Sequence, residues 1–336
     1  MTEPLLVVSH LHMHIGTPRG TVRAVDDVSL TIEAGQALGV VGESGSGKSM
    51  LARAVMGLLP PRAVRSGSIV FQGRDLMTLP VRQQRDLWGK QIGMVFQDPG
   101  RSLNPVVRVE RQLTEGMRRH LGVSRSEART RAVTLLDEVG VPDPERRLGN
   151  YPHQMSGGMR QRVMLAIALA CEPDLLIADE PTTALDVTIQ RQILDLLRRV
   201  QRSRGMAMML ISHDLSVVAG RTDRVAVMYA GRLAETGATR AVFAAPRHRY
   251  THALLDATPT LHQERHARLR VIEGSLPDPT APPPGCRFHQ RCTAAVEGCA
   301  TGAVPMESVG ADHRIACLNP VGAPALVTAG GAHDGR

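Results

Sequence analysis

The chain has 336 residues, 43% of them hydrophobic, and a formal net charge of +8. This length and apolar content suffice for one large domain with an appendage. The N-terminal "MTEPLLVVSH" lacks a signal-peptide pattern, and the sequence contains no uninterrupted apolar run near 18 residues, so we expect a cytoplasmic protein without a membrane span. Disulfides are disfavoured in that compartment, which directs a cysteine cluster towards metal binding or catalysis.

The basic residues are almost all arginine, since only two of the 40 are lysines, Lys48 and Lys90. The net positive charge is compatible with nucleic acid, with an acidic membrane surface or with a biased composition alone. Where arginine is used by default, a lysine indicates a position that requires a compact ammonium group. Lys48 is therefore a candidate functional residue.

The first part of the chain alternates apolar strands with turns. Segments near 5–9, 22–32 and 68–72 are predicted to form an antiparallel lobe. Between them, "LGVVGESGSGKSM" fits the P-loop pattern, in which a strand, a glycine-rich turn and a helix N-terminus aim N–H groups at phosphates. The lysine reaches the terminal phosphates and the following serine binds Mg²⁺. The predicted nucleotide-binding residues are Gly42, Glu43, Ser44, Gly45, Ser46, Gly47, Lys48 and Ser49.

A helical region is predicted from about 100 to 165. "VSRSEARTRAVTLLDEVG" begins with the Ser-x-x-Glu pattern of a helix start. Further on, Ser156, Gly157 and Gly158 precede a basic amphipathic helix, and a serine hydroxyl with glycine N–H groups at a helix start can form an anion site. Taken alone, this triplet is more often an ordinary helix-start loop.

The next elements indicate a doubly wound parallel sheet. "DLLIADEP" reads as a buried strand ending in Asp179, suited to a Mg²⁺-bound water, and Glu180, suited to polarise an attacking water. A helix with Ile193, Leu197 and Val200 on one face follows, and then a second apolar run that ends at His213. Ligands bind at the carboxyl ends of the strands in such sheets.

Together these motifs resemble the ATP-binding-cassette (ABC) ATPases. The resemblance implies that Ser156, Gly157 and Gly158 are the signature loop, which binds the γ-phosphate of ATP held by a partner cassette. It assigns Gln97 in "VFQDP" to Mg²⁺ sensing and membrane-partner contact, Asp186 to the dimer interface, and His213 to the γ-phosphate. Met155 and Met159 depart from the usual residues beside the signature, and Ile15 stands where an aromatic side chain usually stacks on adenine.

The stretches "GTPRGTVRAVDDVSL", "FQDPGRSLNP" and "PRHRYTHALLDATP" resemble the ATPases of oligopeptide, dipeptide and nickel importers, over roughly residues 5–320. The last stretch has Arg249 where that family's His-Pro-Tyr motif has proline. The resemblance implies two transmembrane permeases, a second ATPase that is a distinct sister chain, an extracytoplasmic solute-binding protein, no nucleic acid, and a peripheral position on the cytoplasmic face of the membrane. No internal repeat of cassette size is present, so the second ATP-binding half must come from another chain.

Two other functions remain open at this point. A soluble ABC ATPase acting on nucleic acid would suit the charge, although such proteins tend to carry tandem cassettes or long coiled-coil insertions, and aromatic residues for base stacking are only 2% of the chain. An ABC exporter ATPase is disfavoured by the importer-type C-terminal segment. The cargo is not predictable, because other subunits recognise it.

The expected fold is α/β: a P-loop (RecA-like) core with an antiparallel β lobe, a helical signature subdomain and a small cysteine-containing C-terminal extension. We predict an ABC ATPase domain over 1–238, with the helical subdomain at about 100–165. The importer-type extension is predicted over 239–320, joined to its cysteines by the stiff linker "LPDPTAPPPG", and a flexible tail over 321–336.

The extension contains four cysteines, Cys286, Cys292, Cys299 and Cys317. Their spacing matches neither the short Cys pairs usual for zinc nor the ferredoxin pattern, so spacing alone leaves the metal undecided. Some peptide-importer ATPases carry a C-terminal [4Fe–4S] cluster, and this resemblance favours iron–sulfur over Zn²⁺. We expect loss of the cluster to disorder residues 280–320 and to spare a distant P-loop. Cys171 reads as a small buried hydrophobe.

Overall fold

The computed structural model describes residues 3–183, 185–258 and 271–322. Its twelve strands are β1 (Leu6–Thr17), β2 (Gly20–Ile32), β3 (Ala37–Val41), β4 (Ala63–Phe71), β5 (Arg74–Asp75), β6 (Ile92–Val95), β7 (Leu175–Asp179), β8 (Ala207–Ser212), β9 (Arg224–Tyr229), β10 (Arg232–Ala238), β11 (Glu307–Gly310) and β12 (His313–Ile315). Most of the predicted tail, 323–336, lies outside the described residues.

The twelve α-helices in the described residues alternate with the strands in the core and cluster in one region between β6 and β7. They are α1 (Lys48–Met56), α2 (Val81–Leu87), α3 (Pro99–Ser102), α4 (Val109–His120), α5 (Arg125–Glu138), α6 (Pro144–Leu148), α7 (Gly157–Leu169), α8 (Val187–Arg204), α9 (Leu215–Val218), α10 (Thr239–Ala244), α11 (Arg249–Asp256) and α12 (Gly298–Thr301). In the part of the chain that the structure describes, no helix is both long enough and apolar enough to cross a bilayer.

An eight-stranded sheet forms the core, in the order β11-β12-β10-β9-β3-β8-β7-β6. The five strands from β9 to β6 are parallel to one another, whereas β9 pairs antiparallel with β10. Every residue of β3, β7 and β8 is buried, because helices cover both faces of a parallel sheet. The carboxyl ends of β3, β7, β8 and β6 therefore meet at one edge, as predicted for a doubly wound sheet.

The antiparallel lobe is confirmed. β2, β1, β4 and β5 form a separate sheet in which every pairing is antiparallel. Its apolar face and one side of the core sheet share a hydrophobic cluster that includes Leu11, Ile69 and Leu51 of α1. This packing fixes the lobe against the helix that follows the P-loop.

The helices α3 to α7 run from Pro99 to Leu169, and the bounds of a helical subdomain stay a prediction. The Ser-x-x-Glu start is confirmed, because the Ser124 hydroxyl accepts a hydrogen bond from the Glu127 N–H at the start of α5. Ile193, Leu197 and Val200 are buried on one face of α8.

The C-terminal extension joins the core sheet instead of standing apart from it. β12 pairs antiparallel with β10. The carboxylate of the fully buried Glu235 on β10 accepts hydrogen bonds from the backbone N–H groups of Arg247 and His248 and lies 2.7 Å from Nε2 of His313. The boundaries of the predicted domains stay a prediction, but the extension packs directly on the core.

Candidate functional site

The P-loop has the conformation that its glycines permit. Gly42, Gly45 and Gly47 have φ angles of 152°, 82° and 102°, values that residues with a side chain rarely adopt. A Cβ at Gly42 would lie 2.1 Å from the Met228 carbonyl oxygen, and one at Gly47 would lie 2.3 Å from the Ala24 carbonyl oxygen. The loop therefore requires glycine at both places, for the close approach of backbone to backbone.

Lys48 lies inside the loop and is only 4% exposed. Its Nζ donates to the carbonyl oxygens of Gly42 at 2.8 Å and Glu43 at 2.9 Å. Burial lowers the pKa of Lys48, and the charges of Glu180 and Asp179 oppose that shift. A phosphate ligand would supply further negative charge and favour the ammonium form.

Two oxygen ligands suited to Mg²⁺ meet beside the lysine. The Ser49 hydroxyl donates to Asp179 Oδ1 at 2.7 Å, although the two residues lie 130 positions apart. Burial raises the pKa of Asp179, which is 4% exposed, and the Ser49 hydrogen bond opposes that shift. A buried carboxylate beside a hydroxyl fits a hard cation, because a cation offsets the cost of burying the charge.

Glu180 brings three other side chains together. Its Oε2 accepts hydrogen bonds from Gln97 Nε2 at 3.1 Å and from the Thr183 hydroxyl at 3.0 Å, and it lies 3.2 Å from His213 Nδ1. Glu180 has a φ of 46°, an unusual value for a residue with a side chain. Such backbone strain clusters at functional sites. Thr183 was not singled out from the sequence, where it is one of two threonines in a loop.

Most of these groups, but not Asp179 or Glu43, line one cavity of about 720 Å³, which is within the range of small-ligand sites. Lys48, Ser49, Gln97, Glu180 and His213 all contribute to its wall, as does Ile15. The neighbouring Val22 is also aliphatic. This part of the wall therefore offers apolar contact at the place where the resemblance would put an aromatic residue stacked on adenine.

The C-terminal extension supplies another part of the same wall, through Leu276, Pro277 and Pro279. The Arg23 N–H on β2 donates to the Pro279 carbonyl at 3.0 Å, which fastens this segment to the antiparallel lobe. The sequence predicted only a linker here. A proline-rich stretch gives no local signal for a binding wall, because its partner residues lie about 250 positions earlier in the chain.

The signature residues lie elsewhere. Ser156 caps α7, where its hydroxyl accepts a hydrogen bond from the Met159 N–H, and a Cβ added at Gly157 would meet no atom within 4 Å. Asp186 caps α8 through the Ile189 N–H at 2.9 Å. Among the described residues, the wall of the P-loop cavity includes none of Ser156, Gly157, Gly158 and Asp186. The signature loop is therefore open at Gly157 and lies outside the wall of the chain's own nucleotide cavity.

The four cysteines of the extension are a second candidate site. Cys299 is buried, and Cys286, Cys292 and Cys317 are partly buried; all four are free thiols. The Cys286 N–H donates to the Cys299 carbonyl at 2.8 Å. Burial, together with smaller contributions from the other three cysteines, raises the pKa of Cys286 to about 11. The four sulfur atoms therefore lie close enough to interact. Cys171 is buried in the core, as predicted.

Backbone N–H groups point at three of these sulfurs. Phe288, Ala294 and Asn319 each donate to the cysteine two residues earlier, and each bond opposes the rise in that thiol's pKa that burial causes. The Arg249 N–H also donates to Cys317. The importer family that this chain resembles has proline at the position of Arg249, and proline has no N–H to donate. N–H donors stabilise thiolates, the form of cysteine that ligates metals.

The prediction that the P-loop is distant from these cysteines is wrong. Arg291, which precedes Cys292, donates from Nη1 to the P-loop carboxylate of Glu43 at 2.8 Å. Arg287, which follows Cys286, is paired with the buried carboxylate of Asp26 on β2. His12 and His14 also face Asp26, but Arg287 and Arg232 already neutralise this carboxylate, so the cluster does not require a metal.

Comparisons with known proteins agree with this geometry. The ABC transporter family matches residues 25–183, and the family described as oligopeptide/dipeptide transporter, C-terminal region, matches residues 234–299. Among solved structures, the ATP-binding cassette MJ0796, in a dimeric post-hydrolysis state bound to ADP and Pi, is 26% identical with a TM-score of 0.63. That match covers 70% of this chain and 99% of the cassette.

Two curated relatives match nearly the whole chain. The oligopeptide transport ATP-binding protein OppD of Salmonella typhimurium is 49% identical over 317 residues, 94% of each chain. The dipeptide transport ATP-binding protein DppD of Bacillus subtilis is 46% identical over 336 residues, 99% of this chain and 100% of the relative. The chain therefore belongs to the ATP-binding subunits of ABC transporters, in the oligopeptide and dipeptide importer family, and is an ATP hydrolase that uses Mg²⁺.

Proposed function

We propose that this chain binds and hydrolyses ATP to power the uptake of peptides, or of related small solutes, through a membrane importer. The observation that carries this proposal is the pair of matches along one chain: a cassette, followed by the C-terminal region of oligopeptide and dipeptide transporters. Relatives that match nearly all of this chain are named as oligopeptide and dipeptide transport proteins, which supports peptides as the cargo class.

The catalytic work is divided among the residues of the cavity. Lys48 and the P-loop N–H groups hold the phosphates, and Ser49 and Gln97 would hold Mg²⁺, with Asp179 accepting from a water bound to it. Mg²⁺ supplies charge neutralisation at the phosphates. Glu180 accepts a proton from the attacking water, while His213 and Gln97 orient the Glu180 carboxylate. Gln97 Nε2 and His213 Nδ1 both lie within hydrogen-bonding distance of the same Glu180 oxygen, Oε2, which supports these roles.

The signature loop acts in trans in this proposal. Ser156, Gly157 and Gly158 bind the γ-phosphate of ATP held by a second cassette, and Asp186 lies at the interface between the two. The open α7 N-terminus, outside the chain's own cavity, supports this arrangement. The partner cassette is a sister chain, and two permeases and a solute-binding protein complete the importer. The chain is peripheral, on the cytoplasmic face of the membrane.

The isolated full chain is expected to hydrolyse ATP poorly, because each site lacks the signature loop of a partner. Turnover should rise when the chain is assembled with its permeases and second cassette in lipid vesicles, and labelled peptide should then accumulate in an ATP-dependent manner. Phosphate release is measured over a range of protein concentrations. Full activity of a monomer, independent of concentration, would contradict the trans arrangement, and ATP hydrolysis without peptide transport would contradict the cargo class.

We also propose that Cys286, Cys292, Cys299 and Cys317 hold a [4Fe–4S] cluster. Tetrahedral zinc with bonds of about 2.3 Å would bring its sulfur ligands to roughly 3.8 Å of one another. Among the described residues, no three cysteine sulfurs all lie within 4.8 Å of one another, so the preference for iron–sulfur over Zn²⁺ rests on the resemblance to peptide-importer ATPases. The backbone N–H groups aimed at Cys286, Cys292 and Cys317 support thiolate ligation.

The protein purified without oxygen is expected to be brown and to absorb at about 400 nm, because of thiolate-ligated iron. Replacing any one of the four cysteines by serine should bleach it, because serine removes a sulfur ligand. Cys171→Ser is the matched control and should keep the colour, since Cys171 lies in the core before β7. A colourless protein with stoichiometric zinc would show that the four cysteines bind Zn²⁺ and not a cluster. Four thiols that alkylate freely in the native protein would exclude both metals.

A further inference from the structure

Arg291 of the extension contacts the P-loop. Its side chain is 7% exposed, and its Nη1 atom lies 2.8 Å from Glu43 Oε2 in the P-loop. The same guanidinium donates to the carbonyl oxygens of Glu273 at 2.9 Å and Ile272 at 3.0 Å, so its position is fixed on both sides. The Glu43 side chain is 27% exposed, so the ion pair is partly buried, and the further hydrogen bonds on Arg291 make it a specific contact, unlike most surface pairs.

Tyr250 reaches the same P-loop residue from another direction. Its hydroxyl oxygen accepts a hydrogen bond from the Glu43 backbone N–H at 2.9 Å, across 207 positions of sequence. The side chain is fully buried, with its ring 4.6 Å from that of Tyr229 and 5.3 Å from that of Phe288, measured between centroids. The packing of these rings leaves the hydroxyl little freedom to move.

Glu43 is thus held at three groups. Tyr250 binds its N–H, Arg291 binds its carboxylate and Lys48 binds its carbonyl oxygen. The loop around it contains three glycines and would otherwise be mobile, because glycine loses more conformational freedom on ordering than other residues. Arg291 also neutralises a carboxylate that lies in the loop where the phosphates of ATP bind.

We propose that Arg291 and Tyr250 are positioning residues for ATP: through Glu43 they hold the P-loop in its phosphate-binding shape and neutralise its carboxylate. The extension is then part of the ATP site of this subunit. The inference rests on ATP binding at the P-loop and is independent of which metal the four cysteines hold. Uniform stabilisation of bound nucleotide predicts an effect on affinity and little effect on the chemical step.

The test is an ATP titration of the full chain, purified without oxygen. Arg291→Gln should weaken ATP binding about tenfold, as expected for loss of a charge-assisted bond. In a Glu43→Gln background the same change should cost less than about twofold, since the partner charge is gone. Arg314→Gln is the matched control, because Arg314 is an exposed arginine of the extension that donates to the Met306 carbonyl. It should bind ATP as the wild type does.

Tyr250→Phe keeps the buried ring and removes one oxygen atom, so it tests the proposal even where an arginine variant folds poorly. It should weaken ATP binding about fivefold. In the assembled transporter, Arg291→Gln and Tyr250→Phe should raise the KM for ATP with kcat within about twofold, and Arg291→Lys should restore part of the loss.

Three results would overturn the proposal. They are unchanged ATP affinity in both Arg291→Gln and Tyr250→Phe, an equal loss for Arg291→Gln with and without Glu43, or a loss confined to samples that have lost the metal of the four cysteines. Iron and zinc are therefore both measured on each sample. Activity and peptide uptake of the wild-type transporter are measured separately, so failure of the positioning role is distinguished from failure of the transport function.

Discussion

Replacing Glu180 by glutamine is expected to lower the ATPase turnover of the assembled protein about 10²- to 10⁴-fold, the usual contribution of a general base. Glutamine has nearly the same shape as glutamate, but its amide cannot accept a proton from the attacking water. The Glu180 carboxylate lies within 3.2 Å of groups from Gln97, Thr183 and His213, so it is the convergence point of the site. Phosphate release at saturating ATP gives the turnover.

ATP binding by the Glu180→Gln variant should stay close to that of the wild type, because the phosphates are held by the P-loop on another strand. An ATP titration of the same preparation checks this. Glu3→Gln, at an exposed glutamate before β1, serves as the matched control and should change neither quantity. Turnover near the wild-type rate in Glu180→Gln would remove Glu180 from the mechanism.

Replacing Lys48 by alanine is expected to weaken ATP binding, the step before hydrolysis, by about 10- to 100-fold. The physical reason is the loss of one or two hydrogen bonds to charged phosphate oxygens. The side chain is already in place, since its ammonium group donates to the carbonyl oxygens of Gly42 and Glu43 within the loop. Alanine removes the charge and leaves those carbonyl groups without this donor. The measurement is an ATP titration of the isolated full chain.

The sequence provides the control for this experiment, because Lys90 is the other lysine of the chain. It is exposed between α2 and β6. Lys90→Ala should therefore bind ATP like the wild type. Thermal unfolding without nucleotide is measured for both variants, since Lys48 is buried and its loss also affects the loop. Equal ATP affinity in Lys48→Ala and the wild type would contradict the role of Lys48.

The nucleotide motifs were predictable from the sequence because each depends on local chemistry. A P-loop needs glycines at fixed spacing for positive φ angles, and Lys48 and Ser49 follow at the start of a helix. Asp179 and Glu180 follow a wholly apolar strand, and parallel strands deliver their carboxyl ends to one edge. For the same reason the antiparallel lobe and the Ser124 helix start were found from short-range patterns.

The contacts between distant segments were not predictable. Thr183 joined the site only through the turn that follows β7, and the proline-rich segment near Pro279 showed its role only when it lay against β2. The expectation that the cysteine segment is far from the P-loop failed because 248 residues separate Arg291 from Glu43 along the chain. Sequence distance carries no information on this contact, which forms only when the extension packs on the core.

The sequence by itself thus determined the family of chemistry: a phosphate-binding loop, the ligands for Mg²⁺ and a general base, each encoded in a few neighbouring residues. Only the tertiary structure decided which of these groups share one cavity, that the signature loop lies outside it, and that Tyr250 and Arg291 of the extension hold Glu43. The physical reason is that backbone conformation follows from local sterics, whereas buried ion pairs and hydrogen bonds between remote segments form only when packing of the whole core brings them together.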